Sequence, residues 1–130
     1  MNYLGIDYGT RKIGLAINVE NISVPLKIIE NKSAVDQIKQ IVNDRKIDQI
    51  IIGIADHVNG RESDHSRRIK SFSGILRKDI GIDVIFHDER FSSFEAKTSM
   101  ENIGMKKFDS KRLDDVAACI ILQSYLDSKI

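Results

Sequence analysis

Short apolar runs alternate along the chain with polar and charged stretches, and the period of each run predicts an element. Residues 2–7 carry the run Tyr3-Leu4-Gly5-Ile6 and end at Asp7, which reads as a buried strand. Gly9 and Thr10 supply a turn. From Lys12 to Asn18, Ile13, Leu15 and Ile17 alternate with Gly14 and Ala16, so a second strand follows and the pair reads as a hairpin. Val24 to Glu30 predicts a third strand, with Pro25 near its start. Ser33 to Arg45 places Val35, Ile38 and Val42 at helical spacing, with Asn31 or Ser33 as cap. Gln49 to Ile54 contains Ile50-Ile51-Ile52-Gly53-Ile54, a continuous run expected of a central strand covered on both faces.

The second half follows the same logic. Asp56 to Ser63 reads as a polar loop around Asn59-Gly60, and a helix with Ile69, Phe72 and Leu76 inward comes next. Ile82 to Phe86 is a short strand. Ser92-x-x-Glu95 is a capping-box pattern that opens a helix to about Ile103, with Gly104 as its stop. A last helix is expected from about Ser110 to Lys129. The order β β β α β α β α α predicts an α/β fold: a mixed five-stranded sheet, an antiparallel hairpin plus parallel strands, with helices on both faces. That order matches a ribonuclease H-like core. With 130 residues the chain is expected to form one domain, 1–130, large enough to bury a core without disulfides or a structural metal.

Composition narrows the picture less than pattern does. Twenty Lys and Arg against 19 Asp and Glu give a net charge of +1, so any attraction to nucleic acid must come from local segregation of charge. The single cysteine, Cys119, lies in the apolar run Val116–Leu122 and reads as a small core residue. No signal-peptide pattern opens the chain, and no apolar run approaches the ~18 residues of a membrane span. A cytoplasmic location and no membrane partner are therefore expected.

Three acidic positions stand out. Asp7 ends the first strand, Asp88 and Glu89 follow the fifth, and Asp114 and Asp115 lie in the first turns of the last helix. Ligands gather at strand ends in sheets of this kind. Carboxylates meeting there repel one another unless a cation joins them, and hard oxygen ligands suit Mg²⁺ or Mn²⁺. Two such ions about 3.5–4 Å apart stabilise both the attacking and the leaving oxygen of a phosphodiester displacement. On a helical wheel Asp114 shares its side with Ala117, Ala118, Ile121 and Tyr125, which turns it toward the sheet, while Asp115 sits nearer the edge of that arc. The alternatives are a turn acceptor at Asp7 before Gly9, a solvated loop over Asp88-Glu89-Arg90 or a Glu89–Arg90 pair, and Asp114 and Asp115 serving only the helix dipole.

These residues also fall into motifs. Gly5-Ile6-Asp7-Tyr8-Gly9-Thr10-Arg11-Lys12-Ile13-Gly14-Leu15-Ala16 resembles the opening motif of the YqgF family of ribonuclease H-like proteins, described as Holliday junction resolvases and as pre-16S rRNA nucleases. Asp88-Glu89-Arg90-Phe91-Ser92-Ser93 with Glu95-Ala96 resembles its second motif, and Leu113-Asp114-Asp115-Val116-Ala117-Ala118, continuing through Ile121-Leu122-Gln123, its third. The resemblance spans nearly the whole chain. It implies Asp7, Glu89 and Asp114 as catalytic carboxylates and metal ligands for Mg²⁺ or Mn²⁺, with Asp88 as competitor. It further implies a metal-dependent endonuclease processing the 5′ end of pre-16S ribosomal RNA. The alternatives are resolution of four-way DNA or a non-catalytic nucleic-acid-binding module.

Two departures from the family pattern stand out. Asp115 occupies a position where the family has a small residue, and the usual Gly-Leu-Pro after the fourth strand is here Gly53-Ile54-Ala55, followed by a new carboxylate, Asp56. The expected partner is nucleic acid, precursor ribosomal RNA or branched DNA, bound by a monomer or homodimer. Arg11, Lys12, Arg61, Arg67, Arg68, Arg90, Lys106, Lys107, Lys111 and Arg112 would form a basic rim. The first motif also resembles a phosphate loop of the actin, sugar kinase and heat-shock ATPase group, but those folds need two lobes and this length provides one.

Overall fold

The computed structural model describes residues 1–54, 57–58, 61–88 and 113–129, with backbone only for 57–58, 61–62 and 113–115. Its elements are β1 (Tyr3–Asp7), β2 (Lys12–Val19), β3 (Ile22–Glu30), a 3₁₀ turn (Asn31–Ser33), α1 (Ala34–Arg45) and β4 (Gln49–Ile54). They continue with β5 (His57–Val58), β6 (Arg61–Glu62), α2 (Asp64–Ile80), β7 (Asp83–Asp88) and α3 (Leu113–Ser128). Five strands form the main sheet in the order β3-β2-β1-β4-β7, while β5 and β6 pair separately. β1–β2 and β2–β3 are antiparallel, and β1–β4 and β4–β7 are parallel. This is the mixed five-stranded α/β sheet that the pattern predicts.

The alternation of side chains across a strand sorts the core into two layers. Leu4, Ile6, Ile50, Ile52 and Ile54 face α1 and α2, where Ile38, Ile41, Ile69, Phe72 and Leu76 close over them. Tyr3, Ala16 and Ile51 face α3, which covers them with Val116, Ala118, Ile121, Leu122 and Leu126. Cys119 is buried there, as expected of a core residue. The run Ile50-Ile51-Ile52 is fully buried because β4 is central and covered on both sides.

Local details depart from the sequence pattern. β3 begins at Ile22 rather than Val24. Leu15 pairs with Lys27 and Ala16 with Pro25, so Leu26 is the extra residue of a bulge, and Pro25 is tolerated because β3 is an edge strand. The expected loop over 56–63 contains the small hairpin β5–β6. Ser33 stands at the α1 N-cap without a side-chain cap bond, and its hydroxyl accepts from Gln37 Nε2 at 2.7 Å. Ser63 does cap α2, accepting from the Ser66 amide at 3.0 Å, and Gly81 ends that helix in the left-handed conformation that favours glycine. The helix expected over Ser92–Ile103, its Gly104 stop, Asp56 and residues 110–112 lie outside the described residues. Among the described residues no helix is long and apolar enough to cross a membrane.

Candidate active site

β1, β4 and β7 run parallel, so their C-terminal ends, Asp7, Ile54 and Asp88, lie at one end of the sheet. Asp7 is half-buried there. Strand alternation puts it on the face of Tyr3 and Gly5, which is the α3 face. Its cross-strand partner in β2 is Gly14. On the other side Ile6 pairs with Ile52, so the next position of β4 in register is Gly53, and Gly53 pairs with His87 of β7. Across the α3 face the row therefore reads Gly14, Asp7, Gly53, His87. Both positions flanking Asp7 in this row, Gly14 and Gly53, are glycines.

The turn after Asp7 is held tightly. A Cβ on Gly9 would run into the carbonyl oxygen of Lys12, so only glycine closes this turn. Asn31 Nδ2 donates to the Gly9 carbonyl at 2.7 Å and the Asn31 amide donates to the Arg11 carbonyl at 2.9 Å. Tyr8 turns to the opposite face and packs against Phe72, ring centroids 5.0 Å apart, away from Asp7.

α3 reaches the same end of the sheet by running against β1 in the opposite sense. Tyr3 lies beside Tyr125, with which it makes an edge-to-face contact at 5.6 Å, and its hydroxyl accepts from Lys129 Nζ at 3.0 Å. Two residues further along β1, a Cβ on Gly5 would stand 2.8 Å from Leu122 Cβ and 3.1 Å from the Ala118 carbonyl oxygen. Only glycine lets the helix come this close. One more helical turn toward the N-terminus brings position 114 to the Asp7 end. Position 114 shares the i, i+4 row of Ala118 and Leu122, which leads to β1. Position 115 begins the row of Cys119 and Gln123. That row leads to β3, where the Cys119 carbonyl accepts from Ser23 Oγ at 2.7 Å and Gln123 Oε1 accepts from the Ser23 amide at 2.9 Å.

The third expected carboxylate, Glu89, lies outside the described residues, immediately after β7. Its competitor Asp88 is described: alternation along β7 puts it with Val84 and Phe86, on the α1–α2 side and therefore opposite Asp7. Ile85 and His87 face α3. His87 Nε2 hydrogen-bonds Ser124 Oγ at 2.8 Å, and its ring meets Tyr125 edge-to-face at 5.9 Å. Burial holds the imidazole below its ordinary pKa of 6.5, and the nearby Asp88 charge opposes that shift. The His87–Ser124 tie escaped the sequence reading, because nothing local connects positions 37 residues apart.

Among the described residues no three of His, Cys, Asp or Glu come together as a metal cluster. Of the three expected ligands, only the Asp7 side chain is described, so the fit rests on Asp7. Its hard oxygen donors and glycine-flanked surroundings suit a divalent cation.

Comparison with known proteins identifies the family and the fold. A family profile described as RuvX: Holliday junction resolvase matches residues 1–128. A protein of Phocaeicola vulgatus, named a candidate pre-16S rRNA nuclease, is 38% identical over 97% of this chain and 95% of its own length. One of Agathobacter rectalis with the same name is 31% identical over 98% and 95%. Among solved structures, Thermus thermophilus RuvC in complex with a Holliday junction substrate superposes with a TM-score of 0.69 at 12% identity, covering 99% of this chain and 96% of that one. The fowlpox virus resolvase gives 0.54 at 16%, covering 97% and 99%. At these identities the structural likeness establishes the fold, that of the ribonuclease H-like resolvases.

Proposed function

Because this chain belongs to the RuvX family, called YqgF above, we propose that it is a nuclease that hydrolyses phosphodiester bonds in precursor 16S ribosomal RNA. The observation that supports the reading is the approach of Asp7 and the N-terminal end of α3 to one end of the sheet, the end at which β7 finishes at Asp88. Asp7, Glu89 and Asp114 would hold Mg²⁺ or Mn²⁺. When bound, such ions lower the barrier by stabilising charge on the attacking and leaving oxygens. The protein's own part is to fix the carboxylates. Asp7 sits on a strand paired on both sides, and position 114 sits on a helix locked against Gly5. Of the expected basic rim, Arg11 and Lys12 are described at this end, beside the turn that follows Asp7, where they would bear on the phosphodiester strand. Tyr8, the nearest side chain that could attack phosphorus, is packed on the far face, which supports attack by water without a covalent enzyme intermediate. A cytoplasmic location accords with a precursor-RNA substrate.

The family's description favours a second reading, resolution of four-way DNA, which requires two active sites and hence a homodimer. The test offers the purified protein a fragment spanning the 5′ end of the 16S precursor and a synthetic four-way DNA junction, each with Mg²⁺ or with chelator. Cleavage of the precursor in Mg²⁺ alone is expected. Cleavage of the junction and not the RNA would establish the second reading, and no cleavage of either would end both.

A further inference from the structure

Beside the β1–β2 turn, at the Asp7 end of the sheet, lies a cleft of about 420 Å³ lined by Thr10, Arg11, Lys12, Glu30, Asn31 and Lys32. Nothing in the carboxylate chemistry requires it. Its walls are unusually fixed for a turn. Asn31 grips the Gly9 and Arg11 carbonyls from below, Lys12 pairs with Glu30 across the ladder, and Gly9 admits no side chain. Three cations face one carboxylate. Lys32 holds Glu30 at 3.3 Å, whereas neither Arg11 nor Lys12 has an ion-pair partner among the described residues. A polar, concave, rigid site with surplus positive charge suits an anion.

We propose that this cleft is a subsite for a backbone phosphate of the nucleic acid, adjacent to the phosphate that sits at Asp7. The Arg11 guanidinium offers a planar fork matched to two phosphate oxygens, while Lys12 and Lys32 act as point charges and the Thr10 hydroxyl donates a hydrogen bond. Arg11 follows Asp7 by four residues through a turn fixed by Asn31, so the cleft lies next to the Asp7 end of the sheet. Phosphate contacts fix register and carry no sequence information, which makes the subsite a positioning device for the cut. The assignment rests on the nuclease reading for its purpose, but binding can be read without cleavage.

The experiment measures affinity by fluorescence anisotropy in EDTA, across a salt series, for two labelled probes: a single-stranded RNA from the 16S precursor 5′ end and a four-way DNA junction. Arg11→Ala/Lys32→Ala is compared with Lys39→Ala/Lys78→Ala, which removes the same charge from exposed positions on α1 and α2. All four substitutions are at exposed positions, so melting temperatures should stay within about 3 °C of wild type. The cleft variant should bind at least one probe about tenfold more weakly at physiological salt, with the slope of log affinity against log salt shallower by about 1–2. The control variant should stay within about twofold of wild type. The probe that shows the loss identifies which nucleic acid uses the cleft. Equal weakening in both variants, no weakening in the cleft variant, or no salt-dependent binding by wild type would each overturn the proposal. Cleft-dependent binding by a protein that cuts neither probe in Mg²⁺ would instead retire the nuclease reading and leave the subsite standing.

Discussion

On one face of the sheet, α1 and α2 close over branched aliphatic residues, Leu4, Ile6, Ile13, Leu15, Ile50 and Ile52, every one of them fully buried. On the other, α3 lies over Gly5 and Ala16; Ser23 and Ser124 are buried there, as Ser66 and Ser73 of α2 are on the first face, and His87 and Asp7 are half-buried. The first face is built from large aliphatic side chains. The second trades side-chain volume for approach distance, because the helix carrying position 114 must sit within van der Waals reach of β1. Both faces carry a core, and the proposed chemistry falls on one of them, residue by alternate residue along the same strands.

The sharpest way to break this division is to change charge on the α3 face without changing shape. Asp114→Asn should reduce cleavage at least about a thousandfold, since several kcal/mol of transition-state stabilisation are lost at about 1.4 kcal/mol per tenfold. Metal-free melting should hold or rise slightly, because one of several crowded carboxylates has lost its charge. Asp115→Asn, on the row that leads to β3, should leave most of the activity. Cleavage assays in Mg²⁺ and melting in chelator check both. Full activity in Asp114→Asn with loss in Asp115→Asn would exchange the two aspartates.

The opposite signature belongs to the other face. Ile52→Ala should destabilise the fold by about 2–5 kcal/mol, the range for a fully buried aliphatic truncation, while the fraction that remains folded cleaves normally. Denaturant titration alongside activity corrected for folded fraction decides it. Between the two lies Gly5→Ala, a small change at the seam. Its Cβ would press on Leu122 Cβ and the Ala118 carbonyl, and overpacking of this kind costs about 1–3 kcal/mol. Because relief requires α3 to move off β1, activity should fall further than the folded fraction does. Activity that merely tracks the folded fraction would show that helix position is not critical.

Much of this was legible in the sequence. The apolar run ending at Asp7 gave β1, the period-two alternation gave β2, and the continuous run of β4 announced burial on both faces. What escaped reading was non-local or too short to have a period. Two-residue strands such as β5 and β6 carry no alternation. Asn31 reads as a cap candidate from its neighbours, yet it binds Gly9, 22 residues away. Gln123 lies opposite Asp114 on the wheel, but its amide ties α3 to Ser23 and Asn21 of the β2–β3 hairpin. The wheel separates Asp114 from Asp115 only weakly; in the fold the backbone rows that start at the two positions lead to different strands, which is the basis of the proposed preference.

The smallest expected effect is one of slope rather than level. His87 is held neutral by burial against α3, so its folded-state pKa lies below 6.5. In the interval between that lowered value and 6.5 the unfolded chain binds the proton and the folded one does not. Stability contributed by His87 is therefore fully present above pH 6.5 and is lost as pH falls through the lowered pKa. Asp88 works against the shift, which keeps the effect modest. His87→Gln retains a hydrogen-bonding partner for Ser124 but cannot titrate. Its melting temperature in chelator should fall less between pH 7.5 and 5.5 than that of wild type, and the two curves should run parallel above pH 7. Identical slopes throughout would mean that His87 meets solvent freely, and that the α3 face is looser around β7 than the Ser124 contact implies.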